Sequence, residues 1–199
     1  MEYNPPSSLG IQGGPGSFND DAALEQLALL ASPSTRLVYL YTSEAVCEAV
    51  ADAQIEVGQL ALENSTGGVV AESVAALKNF ELREVRRFER RVSHTLMIRN
   101  DASIELIDTI MTHPQVLLQC RQTLAARYPQ LRLTSGEGAS RNTARVAEQL
   151  RAGELGRNIA VLGNRRLAEI HGLAIVAERL EDSATNMTTF GWFVNSPRN

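Results

Sequence analysis

The sequence predicts an α/β protein of mostly parallel sheets, arranged as two lobes around a cleft. Short apolar strands alternate with helical segments along nearly the whole chain, the pattern of strand–helix–strand units. Several strands end in polar, glycine-bearing turns, after Leu62, Met111 and Leu133, where open α/β sheets place their ligands. With 199 residues, 44% of them hydrophobic, the chain can bury a core as one domain or two small lobes.

In chain order, Met1 to Ser8 reads as a loose tail containing Pro5 and Pro6. The strand Leu9–Gln12 runs into the turn Gly13-Gly14-Pro15-Gly16-Ser17-Phe18, and a helix follows from Asp20 to Leu30. Backbone N–H groups at such a junction can face an anion, or the turn is only a turn; it lacks the Walker and dinucleotide spacings. Leu37–Tyr41 reads as a strand, Ser43 to Asp52 as a helix, and Val57–Leu62 as a second strand. That strand ends at Glu63-Asn64-Ser65-Thr66-Gly67-Gly68, before a helix from Val70 to Leu77. Asn64 and Ser65 can serve a ligand there or cap the helix.

Arg83 to Arg91 holds five arginines beside Glu81, Glu84 and Glu89, a mixed-sign solvated face. From Phe88 to Ile98 the apolar residues alternate as one strand, with Arg90 out of place and His94 read as a satisfied buried histidine. Ile107–Met111 is a strand, and the helix after Thr112-His113-Pro114 carries Gln115 and Gln119 on one face through Leu124. Leu131–Thr134 is a strand, Ser135 to Arg141 a loop, and Asn142 the N-cap of a helix to Leu150. Ile159–Asn164 is a buried strand before a helix from Arg165 to Ile170 that stops near Gly172. Leu173–Ala177 and Phe190–Val194 are the last strands. Asn186-Met187-Thr188-Thr189 before the final one reads, alone, as turn chemistry.

Net charge is −4 and the pI about 5.5, so no basic field favours nucleic acid. Cys47 and Cys120 form no metal or redox motif, which fits a reducing compartment. The N-terminus lacks a signal-peptide pattern, and no apolar run approaches the roughly 20 residues of a membrane span. The expectation is a soluble, cytoplasmic protein with no membrane or nucleic-acid partner.

These motifs, in this order, resemble the prephenate dehydratase family across nearly the whole chain. Gly13 to Phe18 with Ala22-Ala23 is similar to the family's opening glycine motif. Glu63-Asn64-Ser65 with Gly67 resembles its Pro-Ile-Glu-Asn-Ser segment. Thr112-His113-Pro114-Gln115 with Gln119-Cys120 resembles its Ser/Thr-His-Pro-Gln helix start, and Thr143-Ala144 with Val146-Ala147 its Ser-Thr-Ala helix. Ala160 to Asn164, Ala168 and His171-Gly172-Leu173 are similar to its Ala-x-Ile-Gly to Tyr-Gly-Leu stretch. Asn186-Met187-Thr188-Thr189-Phe190 stands in the place of Asn-x-Thr-Arg-Phe.

The resemblance implies two lobes like those of type II periplasmic binding proteins, spanning residues 9–199. Lobe one would be 9–92 plus 174–199, and lobe two 93–173. It implies decarboxylating dehydration of prephenate to phenylpyruvate in the cleft, on the route to phenylalanine, without metal or organic cofactor, in a homodimer. Thr188 would be the hydrogen-bond donor at the departing hydroxyl, with Asn64, Gln119 and Glu63 completing the catalytic group. Ser17, Ser65, Thr112, Thr189 and Phe190 would contact substrate. No ACT regulatory domain or chorismate mutase helix is expected with this chain, and hence no inhibition by phenylalanine. Thr189 in place of the family arginine removes a cation, and Ala61 replaces a proline. That departure leaves open a prephenate decarboxylase that does not aromatise its product, and a non-catalytic binder of small carboxylates.

Overall fold

The chain builds one sheet, leaves it to build a second, and returns to insert a last strand into the first. A computed structural model describes residues 5–137 and 142–196. Residues 1–4 of the expected tail and 138–141 of the expected loop lie outside the described residues, as do 197–199.

Lobe one contains β1 (Ser8–Ile11), α1 (Phe18–Leu29), β2 (Arg36–Tyr39), α2 (Ser43–Ala51), β3 (Val57–Asn64), β4 (Gly68–Val69), α3 (Ala71–Asn79) and β5 (Leu82–Arg91). Lobe two contains β6 (Thr95–Ile98), β7 (Thr109–Met111), α4 (Pro114–Gln119), α5 (Arg121–Arg127), β8 (Arg132–Thr134), α6 (Thr143–Ala152), β9 (Ile159–Gly163), α7 (Arg166–His171) and β10 (Ala174–Ala177). The returning strand, β11 (Met187–Asn195), lies between β3 and β5. The first sheet runs β2-β1-β3-β11-β5 with β4 beside β3, and the second β10-β6-β9-β7-β8.

Local chemistry sets the helix ends. Ser17 caps α1 by accepting from the Asp20 amide at 3.2 Å, and Asn142 caps α6 by accepting from the Ala144 amide at 3.0 Å. Gly153 and Gly172 end α6 and α7 in the left-handed region, at φ 76° and 61°. Side chains alternate across the first sheet. Leu9, Ile11, Val57 and Trp192 pack with Ala23 and Leu27 of α1, and Leu60 and Phe193 with Val46, Cys47 and Ala76 of α2 and α3. The second lobe has its own clusters, around Leu96, Ile110 and Leu124 and around Val146, Leu150 and Val161.

Four expectations need correcting. The sheets are mixed, not mostly parallel. β1 pairs in parallel with β2 and β3, and β7 with β8 and β9, but every pair involving β11 or β6 is antiparallel. β5 runs into β6 without an intervening helix, and the two strands lie in different sheets. The single strand expected from Phe88 to Ile98 is therefore two, one in each sheet. Between them the Glu181 carboxylate accepts from the His94 amide at 2.8 Å and the Ser93 hydroxyl at 3.2 Å. The arginine-rich stretch is β5 itself, an edge strand, where charge discourages further strand pairing.

The expected boundary at residue 174 also moves. Ala174 and Ile175 pair with Ile98 and Met97, so β10 belongs to lobe two and the return crossing lies between Ala177 and Met187. The helix expected through Leu124 breaks at Cys120, and α5 starts afresh there. The Asp182 carboxylate accepts from the Gln122 and Thr123 amides at 2.9 and 2.8 Å, supplying from the return crossing the cap that no local side chain provides.

Gly58 lets α2 lie close on β3. A Cβ there would come within 2.6 Å of Val46 Cγ1 and 2.8 Å of Val50 Cγ2. Gly58→Ala is expected to lower the unfolding free energy by about 1–3 kcal/mol through overpacking, read as a shifted urea midpoint.

Candidate active site

The antiparallel register of β3 and β11 sets Thr188 opposite Asn64 and Thr189 opposite Glu63. Because strand side chains alternate, Asn64 and Thr188 turn to the cleft while Glu63 and Thr189 turn to the other face. Asn64 is 2% exposed and Thr188 7%. Between the lobes lies a cavity of about 120 Å³ whose wall includes Ser17, Asn64, Gln119, Thr188 and Phe190. It opens beside a larger outer pocket of about 760 Å³ lined by Tyr41, Glu72, His113 and Arg145 among others.

The direction of each hydrogen bond in the cavity wall follows from one anchor. Asn64 Oδ1 accepts from the backbone amides of Thr66 and Gly67 at 2.9 and 2.7 Å. An amide N–H can only donate, so the Asn64 side chain has one possible orientation. Its Nδ2 is then the donor to Thr188 Oγ1 at 2.9 Å, Asn186 Oδ1 at 2.8 Å and the Met187 carbonyl at 3.0 Å. With Oδ1 of Asn186 accepting, Nδ2 of Asn186 donates to Gln119 Oε1 at 2.8 Å. His94 Nε2 approaches the same oxygen at 2.7 Å and must carry a proton to do so. Thr188 accepts from Asn64, so its own proton is free to point into the cavity. Gln119 uses its oxygen in these bonds, and its NH₂ group remains for a ligand.

His94 is therefore the neutral Nε2–H tautomer. Its Nδ1 has no hydrogen-bond partner among the described residues, a correction to the satisfied histidine expected from the sequence. Burial lowers its pKa, against smaller opposing effects from Gln119 and Glu181.

The lobes are tied together around this network. Gln115 Nε2 of lobe two donates to the Gly67 and Gly68 carbonyls at 2.9 and 3.0 Å. A Cβ on Gly67 would lie 2.8 Å from that nitrogen, so a side chain there would push the Gln115 amide aside. On another side Asn164 and Arg166 reach Asp21 at 2.7 and 3.0 Å.

Among the described residues of the cavity wall there is no Lys, Arg, Asp or Glu. Backbone N–H groups at the N-terminal ends of α1 and α6 can serve an anion instead, since their first residues, Phe18-Asn19 and Thr143-Ala144, line the cavity; Asp20 and Asp21 in the first turn of α1 are paired with Arg166. His113 is the ionisable group present. Its Nδ1 accepts from the Gln115 amide at 3.2 Å, and its Nε2 lies 3.7 Å from Glu72. The nearby His113 ring, with help from the Ser43 amide, holds the Glu72 carboxyl below its ordinary value against the effect of burial.

Of the residues singled out in the sequence, Ser17, Asn64, Gln119, Thr188 and Phe190 meet at the cavity; four do not. Glu63 is exposed on the outer face of β3. Ser65 fixes the start of β11, its hydroxyl accepting from the Met187 amide at 2.9 Å. Thr112 is fully buried, its hydroxyl donating to the Leu162 carbonyl and adjoining Thr143 Oγ1. Thr189 Oγ1 lies 3.4 Å from Glu89 on β5, away from the cavity. Asn64 and Ser65 do not cap α3 either, because β4 intervenes and no side chain caps that helix. Sequence reasoning missed the bridging role of Asn186. Its place two residues before Thr188 was the available signal.

Because His94 binds protons more weakly folded than unfolded, the folded state keeps its full advantage above the ordinary imidazole value of 6.5. It loses that advantage as pH falls below 6.5, until the lowered folded value is passed. The wild-type unfolding free energy is expected to fall over this range before the carboxylates titrate. His94→Gln is expected to flatten the slope in urea titrations at successive pH values.

A family model described as prephenate dehydratase matches residues 9–197. Arogenate dehydratase 1 of Petunia hybrida is 30% identical over 95% of this chain and 42% of its own length. Two solved structures are similar. One, described as a novel type of quorum quenching acylase, is 27% identical with a TM-score of 0.71, over 96% of this chain and 65% of that one. The other, prephenate dehydratase of Arthrobacter aurescens in complex with L-Phe, is 22% identical with a TM-score of 0.77, over 96% and 61%. The chain thus spans less than half of the petunia relative and under two thirds of the second structure. With the family match running from β1 past the end of β11, this chain belongs to the prephenate dehydratase family.

Proposed function

We propose that the chain catalyses the decarboxylating dehydration of prephenate to phenylpyruvate. The observation that carries this reading is the orientation of Thr188, a nearly buried hydroxyl that accepts from Asn64 and so offers its proton to the cavity. In the reaction the bond from the ring to its carboxylate breaks and CO₂ leaves. The electron pair moves through the ring and expels the C4 hydroxyl, which takes up a proton and departs as water. Aromatisation supplies the driving force. A threonine hydroxyl is too weak an acid for efficient proton donation, so Thr188 acts as a fixed donor to the leaving oxygen, polarised by Asn64. Gln119 offers a second neutral donor, and the ends of α1 and α6 face the substrate's carboxylates. No metal enters this scheme, and chelators are expected to leave the rate unchanged. Cytoplasmic location and a homodimer complete the proposal.

Arogenate carries an amino group where prephenate has its side-chain keto group. The Glu72 carboxylate at the outer pocket suits such an ammonium, so arogenate is the second substrate to test. An acylase would need a base at its nucleophile, but His113 is turned to the Gln115 amide and Glu72. Product analysis decides the reaction. Phenylpyruvate from prephenate, or phenylalanine from arogenate, supports dehydration. A non-aromatic decarboxylated product, or binding without turnover, would replace this proposal with one of the other readings.

Thr188→Val is expected to lower kcat by about 10²–10³-fold, the usual effect of losing one preorganised donor, with KM little changed. Thr188→Ser should keep most of the rate. Steady-state kinetics on both variants checks the assignment, and full turnover by the valine variant would remove it.

Thr189→Arg places a guanidinium on the outer face of the sheet beside Glu63 and Glu89, its cross-strand neighbours. We expect a gain of about 0.2–1 kcal/mol in stability, typical of exposed pairs, and kcat/KM within about twofold of wild type. A tenfold change in kcat/KM would instead put this position in contact with substrate.

A further inference from the structure

Behind the cleft, where both crossings between the lobes pass, lies a second pocket of about 380 Å³. Phe18 and Asn164 line both this pocket and the inner cavity. Its charged lining comprises Arg90, Arg91, Arg165 and Arg179 with Asp21 and Glu178. Both carboxylates are engaged by arginines: Asp21 lies 3.2 Å from Arg90, and Glu178 2.6 Å from Arg165. Glu25 and Glu169 further neutralise Arg90 and Arg165.

The side chains of Arg91 and Arg179 are left without a hydrogen bond or ion pair among the described residues. Arg179 also holds a left-handed backbone, φ 56°, which is uncommon for a residue with a side chain. Thr95 lines the same pocket. It is 2% exposed, and its hydroxyl has no partner among the described residues. Two exposed arginines with unpaired side chains and the unpaired hydroxyl of a buried threonine thus line one pocket. Guanidinium groups bind planar or tetrahedral oxyanions through paired N–H donors.

We propose that this hinge pocket binds a small dianion, a phosphate or dicarboxylate group, through Arg91, Arg179 and the Thr95 hydroxyl. Arg91 belongs to lobe one, Thr95 to lobe two and Arg179 to the return crossing. The bound anion therefore bridges the lobes.

The test is titration calorimetry and thermal unfolding of the full chain with inorganic phosphate and, separately, malonate, at ionic strength fixed with sodium chloride. Saturable binding of phosphate alone identifies a phosphate-bearing ligand, and of malonate alone a dicarboxylate; either supports the site. Arg91→Gln and Arg179→Gln should each weaken binding on the order of tenfold, as loss of a charged hydrogen-bond partner does. Thr188→Val should leave it unchanged, which separates this pocket from the cleft. If Arg179→Gln is unstable, Arg179→Gly removes the guanidinium while suiting the left-handed backbone. No saturable binding beyond chloride, or binding intact in the Arg91→Gln, Arg179→Gln double variant, would overturn the proposal. None of these readouts needs turnover, so the result is independent of the reaction proposed for the cleft.

Discussion

The two backbone amides of Thr66 and Gly67, donating to Asn64 Oδ1, set the polarity of the whole cavity wall. Side-chain amides can turn over, and hydroxyls can donate or accept; backbone N–H groups can only donate. From that anchor, donation passes from Asn64 to Asn186 and from Asn186 to Gln119, while Thr188 is held as an acceptor from Asn64. His94 closes the chain from the far side as a neutral donor to Gln119. A buried network of neutral groups is stable only when its members agree on direction. The turn after β3 imposes that agreement, and it does so with backbone groups that no substitution short of proline removes.

The register of β11 against β3 then distributes the threonines. Alternation puts Thr188 on the cleft side and Thr189 on the other, beside Glu89. Thr189, which looks in the sequence like the departure that decides activity, sits on the face where its neighbours are Glu63 and Glu89. An arginine in that place has carboxylates to pair with on its own face, whatever lies in the cleft. On this geometry an arginine there would brace the outer face, and the cavity keeps its donors without it.

Much of the fold was legible because its signals are local. Ser17 and Asn142 cap helices, Gly172 ends one, and apolar runs such as Ile159–Gly163 are strands. What was not legible depends on partners remote in sequence. The break at Cys120 is capped by Asp182, 60 and 59 residues from the amides it accepts. The division of Phe88 to Ile98 between two sheets leaves the hydrophobic alternation intact and shows only in where each half finds its neighbours. The candidate site divides in the same way. Asn64, Gln119 and Thr188 could be placed by their motifs, but motif membership does not say which way a side chain points. Glu63, Ser65 and Thr189 share those motifs and face elsewhere, and Asn186 had to be found from its contacts.

The neutral cavity wall also suits the proposed chemistry. Prephenate arrives with two negative charges, and a buried arginine beside the departing carboxylate would bind it tightly. That carboxylate, however, loses its charge on the way to CO₂, so such a contact would weaken as the reaction proceeds and would oppose it. Only interactions that strengthen toward the transition state accelerate the step. Negative charge grows instead on the C4 oxygen as its bond to the ring breaks, and that is where a donor gains strength. A wall of neutral donors, with helix N-termini for the general positive potential, would therefore hold the dianion without stabilising the charge that must disappear. In the proposed reaction Thr188 is suited for the same reason: its weak acidity would keep it a donor throughout, and its bond to the leaving oxygen would strengthen only as the reaction needs it.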